Sequence, residues 1–313
     1  MRLPRLKSST EAMAYHCMSH LVEGLDYLSE EEKEHLVDLM WRVTDFCGLE
    51  LCNYSIMDNH YHLLLIVPPR QEVDNRELLR RYERLHGSSC AQAQLLRKCF
   101  EEGGGRAQYW REKLLGWMYD ISEHQRRLKE YFSKWYNRRR KRRGALWDGR
   151  FKSPVIEEAR EPLCQVGVYI ELNAVRAGLV KDPADYRFCS YHAALGGDER
   201  CLRGLQRMTG ESSGMEALGQ VRQQMGIVGR KLSGVGKRLL DPDVCRRLLW
   251  GGGELPFGAR VYWRNRYLVD SAVLGSRAYV ERLGREFGLR SEGERMKGCG
   301  EGMRVLLGLR RKE

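Results

Sequence analysis

Two histidines stand two residues apart in the apolar run His60-Tyr-His-Leu-Leu-Leu-Ile-Val67. Side chains alternate along a strand, so His60 and His62 project from one face and both imidazoles can reach a single ion. Leu64 and Ile66 continue that face, while Tyr61, Leu63, Leu65 and Val67 line the other, which marks an interior strand. Such a pair can equally be ordinary hydrogen-bonded side chains, and two ligands do not complete a metal site. The helical segment Cys164–Asn173 offers a third: Tyr169 and Asn173 lie at i and i+4 on one face, with Gln165 one turn earlier. An Asn173 amide oxygen can join two imidazoles on one ion, leaving Tyr169 one turn away. A divalent ion there would polarise a phosphoryl oxygen while the phenol attacks phosphorus. Only about a thousandth of a free tyrosine is ionised at neutral pH, and a nearby cation raises that fraction. Taken alone, Tyr169 reads as a core or surface tyrosine. A zinc hydrolase with a water nucleophile is a further reading of His-x-His, but it accounts neither for Tyr169 nor for the basic segment below.

The elements that must position these groups follow from periodicity and punctuation. Residues 13–19 alternate as a short strand. Residues 30–46 carry apolar residues at helical spacing, with Ser29 as N-cap and Gly48 just past the end. Residues 49–57 and 60–67 read as strands joined by the Asp58-Asn59 turn. Residues 75–100 read as one helix broken by Gly103-Gly-Gly105, and a second runs from 114 to about 140. A fourth strand is expected over 151–158 and a helix over 161–177, ended by Gly178. The order β-α-β-β-α-β-α predicts an α+β fold: a ferredoxin-like antiparallel sheet with helices on one face, plus a smaller helical C-terminal region. Of 33 glycines, 22 lie after residue 195, whereas none of the eight histidines does. A boundary is therefore expected there, giving regions 1–195 and 196–313, the second with helices over 215–225, 242–249 and 276–287.

Charge is concentrated as well. The net charge is +12, and between Arg126 and Lys152 twelve basic residues face only Glu130 and Asp148. The candidate nucleic-acid contacts are Arg126, Arg127, Arg138, Arg139, Arg140, Lys141, Arg142, Arg143, Arg150 and Lys152, with Trp147 among the aromatics Tyr131, Phe132, Trp135, Tyr136 and Phe151. A solvated face or a localisation tag explains a basic run by itself. Interleaved aromatics add stacking surfaces for unpaired bases, so single-stranded nucleic acid is the leading partner. The longest uninterrupted apolar stretch is Leu63–Val67, far short of the roughly 20 residues a membrane helix needs. The basic N-terminus lacks the apolar core of a secretory signal. Ten scattered cysteines with no C-x-x-C pair point to reduced thiols and a cytoplasmic protein.

His60-Tyr61-His62 after Met57-Asp58-Asn59, the segment Gly144–Ser153, and the string Tyr169–Val180 together resemble the REP-associated tyrosine transposases, part of the HUH class of single-strand transposases. The resemblance spans about residues 10–195, and Tyr267–Tyr279 is similar to the C-terminal portion of many members. It implies that Tyr169 is the nucleophile, forming a 5′-phosphotyrosine link and releasing a 3′-hydroxyl. It implies also that His60 and His62, with Asn173 as third ligand, hold Mg²⁺ or Mn²⁺. The implied partner is single-stranded DNA with hairpins, bound by a nucleoid-associated monomer or homodimer. The alternative is an inactive or domesticated relative that binds hairpins without cutting them. Two departures stand out. Ala174 occupies the place of a customary Pro, which would fall inside the expected helix, and the stretch between Pro69 and Gly144 is long and charge-rich.

Overall fold

Strand β1 (Met13–His20) is followed by helix α1 (Glu30–Cys47), β2 (Glu50–Ile56), β3 (His60–Val67), α2 (Asn75–His86), α3 (Ala91–Glu102), α4 (Gly104–Leu115), α5 (Ile121–Arg139) and β4 (Val155–Ile156). Next come α6 (Arg160–Glu171), α7 (Asn173–Arg176), α8 (Ser190–Leu195), α9 (Glu199–Thr209), α10 (Gly214–Lys231), β5 (Ser271–Ser276), α11 (Arg277–Glu286), β6 (Met296–Gly300) and β7 (Met303–Leu307). The computed structural model describes residues 5–23, 25, 27–231, 268, 271–289, 296–300 and 303–307. The fold is α+β. Among the described residues one seven-stranded sheet runs in the order β2-β3-β1-β4-β5-β7-β6, and its first four strands are antiparallel in the ferredoxin-like order.

Local chemistry explains the boundaries. Ser29 and Glu32 form a capping box on α1, and Gly48 at φ 67° closes the helix in the left-handed region. The helix expected over 75–100 is two helices, because the chain breaks at Gly87 (φ 89°) and Cys90 Sγ then caps α3. The next one is also two, separated at Gly116–Asp120, where the Asp120 side chain caps α5. The strand expected over 151–158 keeps only Val155 and Ile156 in the ladder, preceded by a single bridge from Lys152 to Met18. The helix expected over 161–177 breaks at Leu172 into α6 and α7. Ala174 consequently falls in the first turn of α7, where proline is tolerated, and the expected conflict with the customary Pro does not arise.

Helices cover both faces of the sheet, which corrects the expectation of one. On one face Tyr61 donates to Gln125 Oε1 of α5 (2.7 Å), and Tyr54 meets Trp41 of α1. On the other, α6 lies over β2 and β3. The reason is β3 itself: every residue from Tyr61 to Val67 is buried, so each face needs an apolar lid. The region after residue 195, expected to be helical, also supplies three strands. β5 pairs in parallel with β4, and β7 and β6 continue the sheet. The helix expected over 215–225 lies within α10, and that over 276–287 matches α11. The one expected over 242–249 lies outside the described residues.

Polar groups seat α6. A register shift in β2 between Leu51 and Asn53 turns Asn53 toward α6, where its amide donates to Gly167 O (2.8 Å) and Glu171 Oε1 (3.3 Å). Glu171 also accepts from Ser190 Oγ (2.6 Å) and the Tyr191 N–H (3.2 Å), so one carboxyl joins α6, β2 and α8. Gly167 keeps this approach close, since a Cβ there would stand 1.9 Å from Met208 Sδ and the methionine side chain would have to move. Burial pushes the Glu171 carboxyl up to about 7 against the hydrogen bonds that pull it down. Its folded value exceeds its unfolded one, so its stabilisation is complete below about pH 4.5 and is lost as pH rises through about 7. Urea titrations of the parent and of Glu171→Gln across this window should show their stability difference falling with pH, with a limiting slope of about 1.4 kcal/mol per pH unit. A pH-independent difference would refute the assignment.

Candidate functional site

Register decides which side chains share the histidine face. In the β1–β3 ladder His16 stands opposite Leu64, Met18 opposite His62 and His20 opposite His60. Residues directly opposite share a face. Four imidazoles, His16, His20, His60 and His62, therefore line one side of two adjacent strands. The reading of the sequence found two of them; the i, i+4 spacing of His16 and His20 on a strand was the available signal for the others.

The rings are in contact. His20 stacks on His60 with centroids 4.7 Å apart, and the His60 and His62 rings are 5.0 Å apart at nearly a right angle. Tyr169, brought over this face by α6, sets its ring edge-on to His62 (5.9 Å) and His16 (5.7 Å). The tyrosine is 4% exposed, whereas His20 is exposed and His60 is half-buried. One end of the cluster is therefore open to solvent.

Each predicted ligand has a defined partner. His60 Nδ1 lies 2.7 Å from Asn59 Oδ1, which can only accept from it, so Nε2 carries the lone pair in the neutral ring. His62 Nδ1 lies 2.9 Å from His16 Nε2. Burial, with His20 and Arg176 nearby, lowers His60 to about 3, and burial with the neighbouring imidazoles and Arg176 holds His62 well below the usual histidine range. Both rings are neutral at pH 7, the state in which imidazole binds a metal. A ring whose other nitrogen is held by a neighbour is also the usual arrangement of a ligating histidine. Both rings thus have the protonation state and the second-nitrogen partner that a ligating histidine needs.

Asn173 lies on the same helical path one turn beyond Tyr169, but its amide nitrogen donates to the carbonyls of Tyr169 (3.0 Å) and Ile170 (3.3 Å). Its Oδ1 is left with Arg176 Nη1 at 3.5 Å, an oxygen still able to serve an ion. Among the described residues no group of three or more His, Cys, Asp or Glu side chains is arranged to hold a metal. Gln165 is buried, with its Oε1 unpartnered.

Arg176 is the second residue that the reading of the sequence missed. Its guanidinium lies over the Tyr169 ring at 4.5 Å, and its buried Nε has no hydrogen-bond partner. It follows Tyr169 by seven residues, two helical turns, and this i, i+7 relation was the signal available. Histidines, phenol and guanidinium thus meet at one place: groups able to bind a cation, attack phosphorus and hold a phosphate oxygen.

The basic segment divides differently from its expectation. Arg138, Arg139, Arg140, Lys141, Arg143, Arg150 and Lys152 are exposed. Arg139 pairs with Glu31, and Arg140 binds Glu32 (2.6 and 3.0 Å). Arg142 is half-buried against Asn137 Oδ1 (2.7 Å), and Arg126 is exposed but bridges Glu123 (2.8 Å) and Glu130 (3.2 Å). Two members are corrected. Arg127 is 2% exposed, paired with Glu123 and stacked on Trp117 at 4.3 Å. Trp147 is 8% exposed, edge-on to Tyr61 and donating from Nε1 to Lys129 O (3.2 Å). Phe132 and Tyr136 are buried, Trp135 stacks on His35 at 3.9 Å, and Arg5 covers Phe151 at 3.5 Å. Phe132 and Tyr136 form the inward face of an amphipathic helix, while Tyr131, Trp135 and Phe151 are half-buried with packed neighbours, so the stacking surface is smaller than the sequence suggests. The loop does run beside the histidines: Asp148 N–H donates to His20 O (2.8 Å), and Lys152 and Met18 exchange backbone bonds.

The eight cysteines whose side chains are described are all unpaired. No helix among the described residues is long and apolar enough to cross a membrane. No protein-family model matches the chain, and no curated protein matches it. Among solved structures the chain is similar to a REP-associated tyrosine transposase bound to a REP hairpin, at 15% identity and a TM-score of 0.41, over 63% of this chain and 86% of that one.

Proposed function

We propose that the protein is a metal-dependent DNA strand transferase acting on single-stranded DNA with hairpins, with Tyr169 as nucleophile. The observation that carries this reading is the meeting of Tyr169 and Arg176 with His62, which lies more than a hundred residues earlier in the chain. In this reading His60 and His62 through Nε2, and Asn173 through Oδ1, hold Mg²⁺ or Mn²⁺. The bound ion supplies Lewis-acid polarisation of the scissile phosphate and helps ionise the phenol.

The chain's own residues do the rest. Arg176 holds a phosphate oxygen through its unspent N–H groups and places phosphorus against the phenol beneath it. The phenol gives up its proton, an Oη–P bond forms, and the P–O3′ bond breaks. The leaving O3′ takes up a proton, and the 5′ end remains linked to Tyr169. A 3′-hydroxyl can later attack this phosphotyrosine and rejoin strands, because the phosphodiester energy is retained. The exposed Arg138 at the end of α5, with Lys141, Arg143 and Arg150 on the loop that follows and runs beside His20, would steer the DNA backbone to the open end of the cluster.

One observation favours the non-cleaving alternative: Tyr169 is 4% exposed, so little of the side chain is open to a substrate phosphate. Incubation with a labelled single-stranded hairpin library and Mn²⁺ separates the two. Transferase activity gives label at protein mass on a denaturing gel, lost with EDTA and in Tyr169→Phe, and reduced about 100-fold in Arg176→Ala. An adduct of equal yield in Tyr169→Phe would sink the assignment, and a native complex with no adduct would establish the binding module. In the same library, replacing Arg138, Lys141, Arg143 and Arg150 by Gln should flatten the salt dependence of binding by up to about 0.7 per lost contact in log–log slope. An unchanged slope would place the DNA elsewhere.

A further inference from the structure

His16 is fully buried on β1 and lies between two partners. Its Nδ1 is 2.8 Å from the carbonyl oxygen of Leu268, 252 residues later in the chain, and its Nε2 is 2.9 Å from His62 Nδ1. A carbonyl oxygen accepts and never donates, so the proton between His16 and Leu268 belongs to His16 Nδ1. A neutral imidazole has one N–H, so His16 Nε2 then bears a lone pair. The hydrogen bond to His62 can form only if His62 Nδ1 donates it. That leaves the lone pair of His62 on Nε2, the nitrogen not engaged by His16.

We propose that His16, aligned by the Leu268 carbonyl, is a positioning residue that holds His62 in the Nδ1–H tautomer and keeps Nε2 available as a metal-binding atom. The part that concerns metal rests on the function proposed above; the tautomer does not. The alternative tautomer of His62 would set two lone pairs against each other at 2.9 Å and put a proton where an ion must sit. A histidine serves this purpose because it is both donor and acceptor across one rigid ring. Here it carries out the orienting task that an acid or a carbonyl usually performs for a ligating histidine. It also gives the region beyond residue 195 a direct part in the site, through a backbone atom that no side-chain motif would disclose.

The test uses the full chain labelled with ¹⁵N-histidine. Long-range ¹H–¹⁵N spectra without metal or DNA should show His16 and His62 both protonated at Nδ1 and unprotonated at Nε2. Finding His62 protonated at Nε2 overturns the proposal without any substitution being needed. In His16→Phe, His62 should lose its single tautomer, and Mn²⁺ affinity measured by calorimetry should weaken about 10–100-fold. His16→Gln, which retains an acceptor, should recover most of that loss. A folded His16→Phe with His62 still wholly Nδ1–H and unchanged Mn²⁺ affinity would also overturn it. If the parent shows the expected tautomers but binds no Mn²⁺, the relay stands and the metal part of the proposed function fails.

Discussion

The structure depends on one strand that is buried on both sides. β3 has apolar residues on each face from Tyr61 onward, so helices must close over both, and only its first residue, His60, remains partly open. That constraint places the histidines at the boundary between core and solvent. The rings are held rigidly by packing behind them, and the end of the cluster at His20 is accessible. Burial also keeps His16, His60 and His62 neutral, so the same packing that stabilises the sheet maintains the state in which an imidazole can bind a metal.

Polar contacts add direction to the apolar burial that seats the helix carrying Tyr169. Asn53, turned toward α6 by a register shift in β2, and Glu171, shared among three elements, determine where α6 lies. Gly167 permits the approach. The break at Leu172, with the Asn173 amide turned back onto the carbonyls of Tyr169 and Ile170, then offers the Asn173 oxygen beside Arg176. Side chains of this kind compete with the helix for its carbonyls, which accounts for a break that periodicity does not foretell.

The basic segment shows how a pattern can carry two meanings. Aromatic residues among arginines suggest base stacking, yet the same alternation is what an amphipathic helix needs when one face packs and the other is solvated. In α5 Phe132 and Tyr136 turn inward, Tyr131 and Trp135 are half-buried against the core, and the fully exposed side chains are mainly charged. Arg127 shows the same division within a charge run. Its i+4 relation to Glu123 and its place over Trp117 draw it into the core, while Arg126 beside it stays outside.

Much was legible from the amino acids alone. The bounds of β3, the caps of α1, the α+β class and the pairing of His60 with His62 follow from alternation, capping chemistry and turn residues, all of which act within a few positions. The i, i+4 placement of Tyr169 and Asn173 is likewise local and survives the helix break. What only the tertiary structure decided is which distant groups meet. The β1–β3 register placed His16 and His20 with the other two imidazoles, α6 placed Tyr169 and Arg176 above them, and the Leu268 carbonyl reached His16 from 252 residues away. Such contacts depend on strand register and packing, which are set by the combined burial of many side chains; no single segment encodes them.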